Sequence, residues 1–142
     1  MKIIATVAVV TLSLFVNIAP AEAQKRYPCD PDASNAAMRE CYTKEQIRVN
    51  AQADSLAREI ASKFRKNAQD TALDQDIGAM LLKAASAVTQ SQVSWKAYRD
   101  QHCEAVRYKW TSVSGAGTAY QSCMYEVGRA RVQELRTAFQ SD

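Results

Sequence analysis

Val49, Ala53, Leu56, Ile60 and Phe64 advance by steps of four, three, four and four residues. That spacing places apolar side chains on one stripe of a helix. Met38 and Tyr42 extend the stripe toward the N-terminus, although Glu45 and Gln46 weaken it in between. No Gly or Pro interrupts residues 35–67, and Asp32 or Ser34 stands ready as a cap behind Pro31, so one long helix is predicted there. Residues 67–76 are polar, carry no stripe and predict a turn. Beyond them Ile77, Leu81, Ala84, Val88, Ser91, Trp95, Tyr98 and His102 alternate steps of four and three. This seven-residue repeat marks a helix laid along another helix. Small residues in the middle of the seam predict close helix approach, and Trp95 with Tyr98 predict an aromatic core layer near Cys103. Gly78 weakens the first turns by about 1 kcal/mol relative to Ala. Residues 111–118 hold Gly115, Gly117 and several small polar side chains, the composition of a loop. A third helix is predicted from about Ala119 to Phe139, with Tyr120, Met124, Val127, Leu135 and Ala138 facing inward. Arg131 lies beside that face, its stem placed to pack and its head to reach solvent or a carboxylate.

The first residues do not fit this pattern. Lys2, a mostly apolar run over residues 3–18 and the Pro20-Ala21-Glu22-Ala23 sequence form a secretory signal peptide cleaved after Ala23. Thr11, Ser13 and Asn17 interrupt the run, which is short for a span of about 20 residues, so no membrane span is expected after cleavage. Cys29 is not adjacent to the cleavage site, which argues against a lipid anchor. Residues 24–142 then make a single domain, periplasmic or secreted. With only 4 Gly and 3 Pro in the whole chain, one of them Pro20 ahead of the domain, its composition favours helix. The fold class expected is all-α: an antiparallel hairpin of two long helices plus a C-terminal third helix, braced by two disulfides. A net charge of +3, with basic residues scattered among acidic ones, lacks the concentrated patch of a nucleic-acid binder.

Cys29, Cys41, Cys103 and Cys123 are an even set in an exported chain, which points to disulfides. A zinc site using His102 would want Cys-x-x-Cys or His-x-x-x-His spacing, and neither occurs. In an unbroken helix Cys29 and Cys41 would lie about 18 Å apart and Cys103 and Cys123 about 30 Å, against a limit near 7 Å for bridged Cα atoms. Each pair, however, encloses a chain break, at Pro31-Asp32 and at residues 114–117. Loop entropy of about 3 kcal/mol for either bridge does not select a pairing, because crossed pairs close longer loops. Locality favours 29–41 with 103–123. Oxidation of Cys103 leaves no Cys–His dyad with the neighbouring His102. Asp74 and Asp76 fall at a helix start, where they complement the dipole. With no glycine-rich phosphate loop and no metal-ligand cluster, neither an enzyme nor a cofactor is expected.

Cys29-x11-Cys41, Asp54-x-Leu56, Gln92-x-x-Trp95-x-x-Tyr98-Arg99-x-x-x-Cys103, Cys123 and Arg131-x-x-x-Leu135 together resemble the LprI-like lysozyme-inhibitor N-terminal domain family. The resemblance covers nearly all of residues 24–142. It implies an exported helical envelope domain with lysozyme inhibition as its activity, and a motif set that serves as architecture: half-cystines, a Trp–Tyr core layer and an arginine that pairs or caps. The chain departs from the family where Ala57 replaces an Asn, Ile60 replaces an aromatic, and the glycines are split as Gly115-Ala116-Gly117-Thr118. Inhibition requires filling a cleft that holds two catalytic carboxylates. The candidate for insertion is the loop with Trp110, Ser112, Ser114, Gly115, Gly117 and Thr118. At +3 the chain receives no long-range steering toward strongly basic animal lysozymes. The alternative partner is an anionic envelope polymer or another envelope protein.

Overall fold

The computed structural model describes residues 28–70, 74–111 and 114–140, which form three helices: α1 (Asn35–Ala68), α2 (Gln75–Lys109) and α3 (Ala116–Phe139). No strand occurs among the described residues. Residues 1–23, expected to be a signal peptide, lie outside them, as does Ser112. The Ser34 hydroxyl accepts the Ala37 N–H at 3.3 Å, and the Asp74 carboxylate accepts the Asp76 N–H at 2.7 Å. Both long helices therefore start on side-chain caps, which satisfy otherwise unpaired N–H groups. The third helix starts on Gly115 without such a cap.

Contacts along the helices set their directions. Asp54 of α1 meets Gln92 and Lys96 of α2, and Phe64, later on α1, lines a pocket with Ala84 and Val88, earlier on α2, so these two form the expected antiparallel hairpin. Cys103 joins Cys123, and Ser91 and Gln92 meet Arg131, so α3 runs antiparallel to α2. Tyr42 packs on Tyr125, and Phe64 packs edge-on against Phe139, so α3 runs parallel to α1. The α1–α3 pair is the most extensive of the three.

Apolar burial falls in two zones. One gathers Leu56, Ala57, Ile60, Ala61, Ala85, Val88 and Leu135 under Phe64; the other gathers Cys29, Tyr42, Val49 and Tyr125. Both disulfides form as locality favoured, Cys29–Cys41 with Cα atoms 5.9 Å apart and Cys103–Cys123 at 5.5 Å. Both lie toward the end of the bundle where α1 starts, α2 stops and α3 starts.

The buried stripe of α2 differs from the seam read in the sequence. Ala85, Val88, Gln92 and Cys103 are buried, and Trp95 and Arg99 are half-buried. Ile77, Ser91 and His102 are exposed, and Tyr98, expected in the core, is 57% exposed. The strict seven-residue repeat assumed 3.5 residues per turn. The interval from Ala85 to Cys103 instead fits five turns of a straight helix at 3.6, and the difference accumulates at about 20° per heptad. By the end of α2 the phenol has rotated out and Arg99 has taken its place. On α3, Met124 and Leu135 are buried as expected and Ala138 is exposed, while Tyr125, Gly128 and Val132 supply the rest of the face. The helix also starts at Ala116, three residues early, because Gly117 and Thr118 join its first turn.

Gly128 sets how closely α3 approaches α1. A Cβ there would stand 2.6 Å from Asn50 Oδ1 and 2.8 Å from Val49 Cγ2, inside van der Waals contact. Gly128→Val should therefore cost about 1–3 kcal/mol, the range for overpacked interiors, measured as a lower denaturation midpoint with an unchanged slope in urea. A variant as stable as the parent would show that the interface yields freely.

Candidate functional site

One motif residue from each helix meets in the middle of the bundle. Gln92 of α2 donates its Nε2–H to Asp54 Oδ1 of α1 at 2.9 Å, and its Oε1 accepts from Arg131 Nε of α3 at 3.1 Å. A primary amide suits this position because it carries a donor and an acceptor on one planar group. It can face a carboxylate on one side and a guanidinium on the other. Arg131 completes its fork by donating to Ser91 Oγ at 2.9 Å and Glu134 Oε1 at 2.7 Å. Gln92 and Arg131 are each only 7% exposed. Leaving a guanidinium unpaired at that depth would cost several kcal/mol, and three acceptors offset it. Trp95 lies beside this junction, with Arg99 and Arg131 guanidinium carbons 5.0 and 5.9 Å from its ring centroid, within cation–π range. Arg99 also pairs with Asp100 at 2.6 Å.

Asp54 is the acidic terminus of the network, and Lys96 closes on its other oxygen at 2.8 Å. Burial pushes its carboxyl up. The hydrogen bonds from Lys96 and Gln92, with the charges of Lys96 and Arg58, outweigh that and hold it below its ordinary value. The remaining motif residues separate by depth. Leu56 and Leu135 sit in the apolar core, whereas Tyr98 lies outside it and stacks on His102 at 5.4 Å. With Cys103 tied to Cys123, that imidazole has no thiol to activate.

The end of the bundle that carries the disulfides holds the second candidate surface. An open, mostly apolar groove of about 440 Å³ runs there between Trp110, Val106, Ala119 and Asn35. Trp110 is 46% exposed, and Ser114 is exposed beside it. Two further residues of the expected loop, Gly117 and Thr118, are committed to packing. Thr118 Oγ1 donates to the Asn35 carbonyl at 3.0 Å, and Asn35 Nδ2 reaches Ser114 Oγ at 3.5 Å. A Cβ on Gly117 would come within 2.9 Å of Arg39 Cδ, so this glycine makes room for the arginine stem of α1 rather than a thin probe. Gly115 has open space around it. Among the described residues of the turn, Trp110, Thr111 and Ser114 are thus the exposed ones. Asn35, Lys96 and Glu134 complete the two surfaces and were not singled out by sequence reasoning, since each is an ordinary polar residue on a helix. Gln92 was visible as a motif position, and it falls four residues after Val88 on the stripe that the structure buries.

A family model described as Lysozyme inhibitor LprI matches residues 29–135, a span that holds all four cysteines and the Asp54–Gln92–Arg131 junction. No curated protein and no solved structure matches the chain.

Two measurements check the junction. Gln92→Leu strips Arg131 Nε of its acceptor and Asp54 of a donor, and should destabilise by about 2–3 kcal/mol in chemical denaturation, the scale of lost hydrogen bonds to charged groups. The depressed Asp54 carboxyl contributes stability that is fully present above its unfolded-state value of about 4. That contribution is lost as pH falls through the still lower folded value. Asp54→Asn should lower stability at pH 7 and flatten the decline below pH 4. An acid limb as steep as that of the parent would place the titration elsewhere.

Proposed function

We propose, since the chain belongs to the lysozyme inhibitor LprI family, that it is an exported, non-catalytic inhibitor that binds a lysozyme through the disulfide-braced end of its bundle. The family match over residues 29–135 carries this reading. The placement of the contact surface is supported by Trp110, a large exposed aromatic of the kind that anchors protein interfaces. It stands over an apolar groove close to Cys123. A surface held by two disulfides loses little freedom on binding, so less of the contact energy is consumed in ordering it. Two disulfides also suit an oxidising, extracytoplasmic compartment, in keeping with cleavage after Ala23 and a periplasmic or secreted protein. No helix among the described residues is long and apolar enough to cross a membrane.

A chain of net charge +3 gains no electrostatic steering toward a basic lysozyme. Recognition then rests on short-range fit, with Trp110 as anchor and Asn35, Ser114 and Glu126 supplying polar groups at or near the groove. Binding of this kind should depend weakly on salt.

Purified protein comprising residues 24–142 should slow lysozyme on cell walls and on a soluble chitooligosaccharide at near-stoichiometric concentration, tested against animal and bacterial enzymes. Trp110→Ala should weaken inhibition by roughly tenfold or more, as loss of an aromatic anchor does, with its thermal midpoint within a few degrees of the parent. Absence of inhibition against every enzyme would remove the lysozyme reading. Exported protein should begin at Gln24 on N-terminal sequencing, and retention of residues 1–23 would remove the signal-peptide reading.

A further inference from the structure

The groove between α1 and α2, about 300 Å³ in volume, lies apart from the surface assigned to lysozyme and is lined by those two helices alone. Its floor contains Ala57 and Ala61, and its borders carry Arg58, Arg65, Lys96 and the exposed Val93. Elsewhere on the surface Arg48, Arg107 and Arg129 each pair with a glutamate three residues earlier. Arg58 and Arg65 are exposed and make no ion pair or hydrogen bond among the described residues. The one carboxylate in the groove, Asp54, is occupied by Lys96 and Gln92, and Asp100, a turn beyond Lys96, is held by Arg99. Positive charge is therefore in excess along this groove.

The cations are strung out along the helix axis. Arg58 and Arg65 are separated by seven residues, about 10 Å along α1, and the Asp54–Lys96 pair lies a further turn away, about 6 Å. Guanidinium groups bind phosphate oxygens through paired N–H donors. The charged side chains line up along the borders of a concave channel, so a chain can lie between them along its length. From this arrangement we infer that the α1–α2 groove binds a linear phosphate polymer, with Arg58 and Arg65 as its principal contacts. The site is independent of lysozyme inhibition, and the two together would hold an inhibitor on an anionic envelope surface.

The test is direct binding of long-chain inorganic polyphosphate to the protein of residues 24–142, by fluorescence anisotropy over a range of salt concentrations. Two phosphate contacts should give a log–log salt slope between about −1 and −2. Arg58→Gln with Arg65→Gln should weaken binding by about tenfold or more and flatten the slope by about 1.4–1.8, most of its value. Its thermal midpoint and its inhibition of lysozyme on soluble chitooligosaccharide should remain those of the parent. Arg48→Gln with Arg129→Gln, which removes two arginines from the groove between α1 and α3, should bind polyphosphate like the parent. The proposal is overturned if the first variant binds as the parent does, or if the second loses as much. It is equally overturned if polyglutamate or phosphatidylglycerol vesicles bind as tightly through the same two arginines, since the ligand would then not be a phosphate chain. Separate readouts for polymer and lysozyme keep failure of one reading distinct from failure of the other.

Discussion

The bundle depends on keeping one guanidinium charged and dry. Arg131 lies almost fully inside, and its partners come from two helices: Gln92 and Ser91 on α2 and Glu134 on its own helix. Gln92 passes the demand on to Asp54 of α1. Apolar zones such as the Leu56–Ile60–Leu135 cluster gain from burial in any register that excludes water, because the hydrophobic effect has no direction. The amide between a carboxylate and a guanidinium works in one register only, since sliding any helix by one residue would leave a buried polar group unsatisfied. The polar layer thus acts less as a source of net stability than as the device that aligns three long helices.

Much of the fold was legible in the sequence because its signals are local. A stripe of apolar residues without Gly or Pro gives α1, and the turn chemistry around residues 67–76 gives the hairpin. Nearest-neighbour pairing of the four cysteines is favoured by locality, and the chain break within each interval permits it. The errors share a cause. Reading α2 as a strict heptad and treating aromatic residues as interior placed Tyr98 in the core. Burial of Gln92 and Arg99 beside Trp95 could not be read from hydrophobicity, since their places are set by partners 38 or more residues away in the first case and by the accumulated twist of a long helix in the second. Likewise the glycine-containing turn read as a loop for insertion into a cleft, but Gly117 is small because Arg39 of α1 lies against it. A motif shows which residues matter together without showing which face of the molecule they occupy.

The two ends of the bundle are built differently. Toward the start of α1, two covalent bridges and the Tyr42–Tyr125 pair hold all three helices. At the other end, Phe64 meets Phe139 edge to face beside Ala84 and Ala87, an arrangement with few buried contacts. Local opening begins where contacts are sparse, so fraying is directed away from the end that carries Trp110. A binding surface at the braced end keeps its shape while the distant helix ends fluctuate.

The cysteines join in the order in which they occur: the first with the second, the third with the fourth. A chain delivered N-terminus first into an oxidising compartment would present each native partner as the next thiol to arrive. Cys29 and Cys41 can close while α2 is still being threaded, before Cys103 exists as a competitor for exchange. Connectivity of this kind is compatible with vectorial oxidation by a simple thiol oxidase, without the reshuffling that crossed bridges demand. The linear pairing therefore bears on how the protein is made as much as on how it stands.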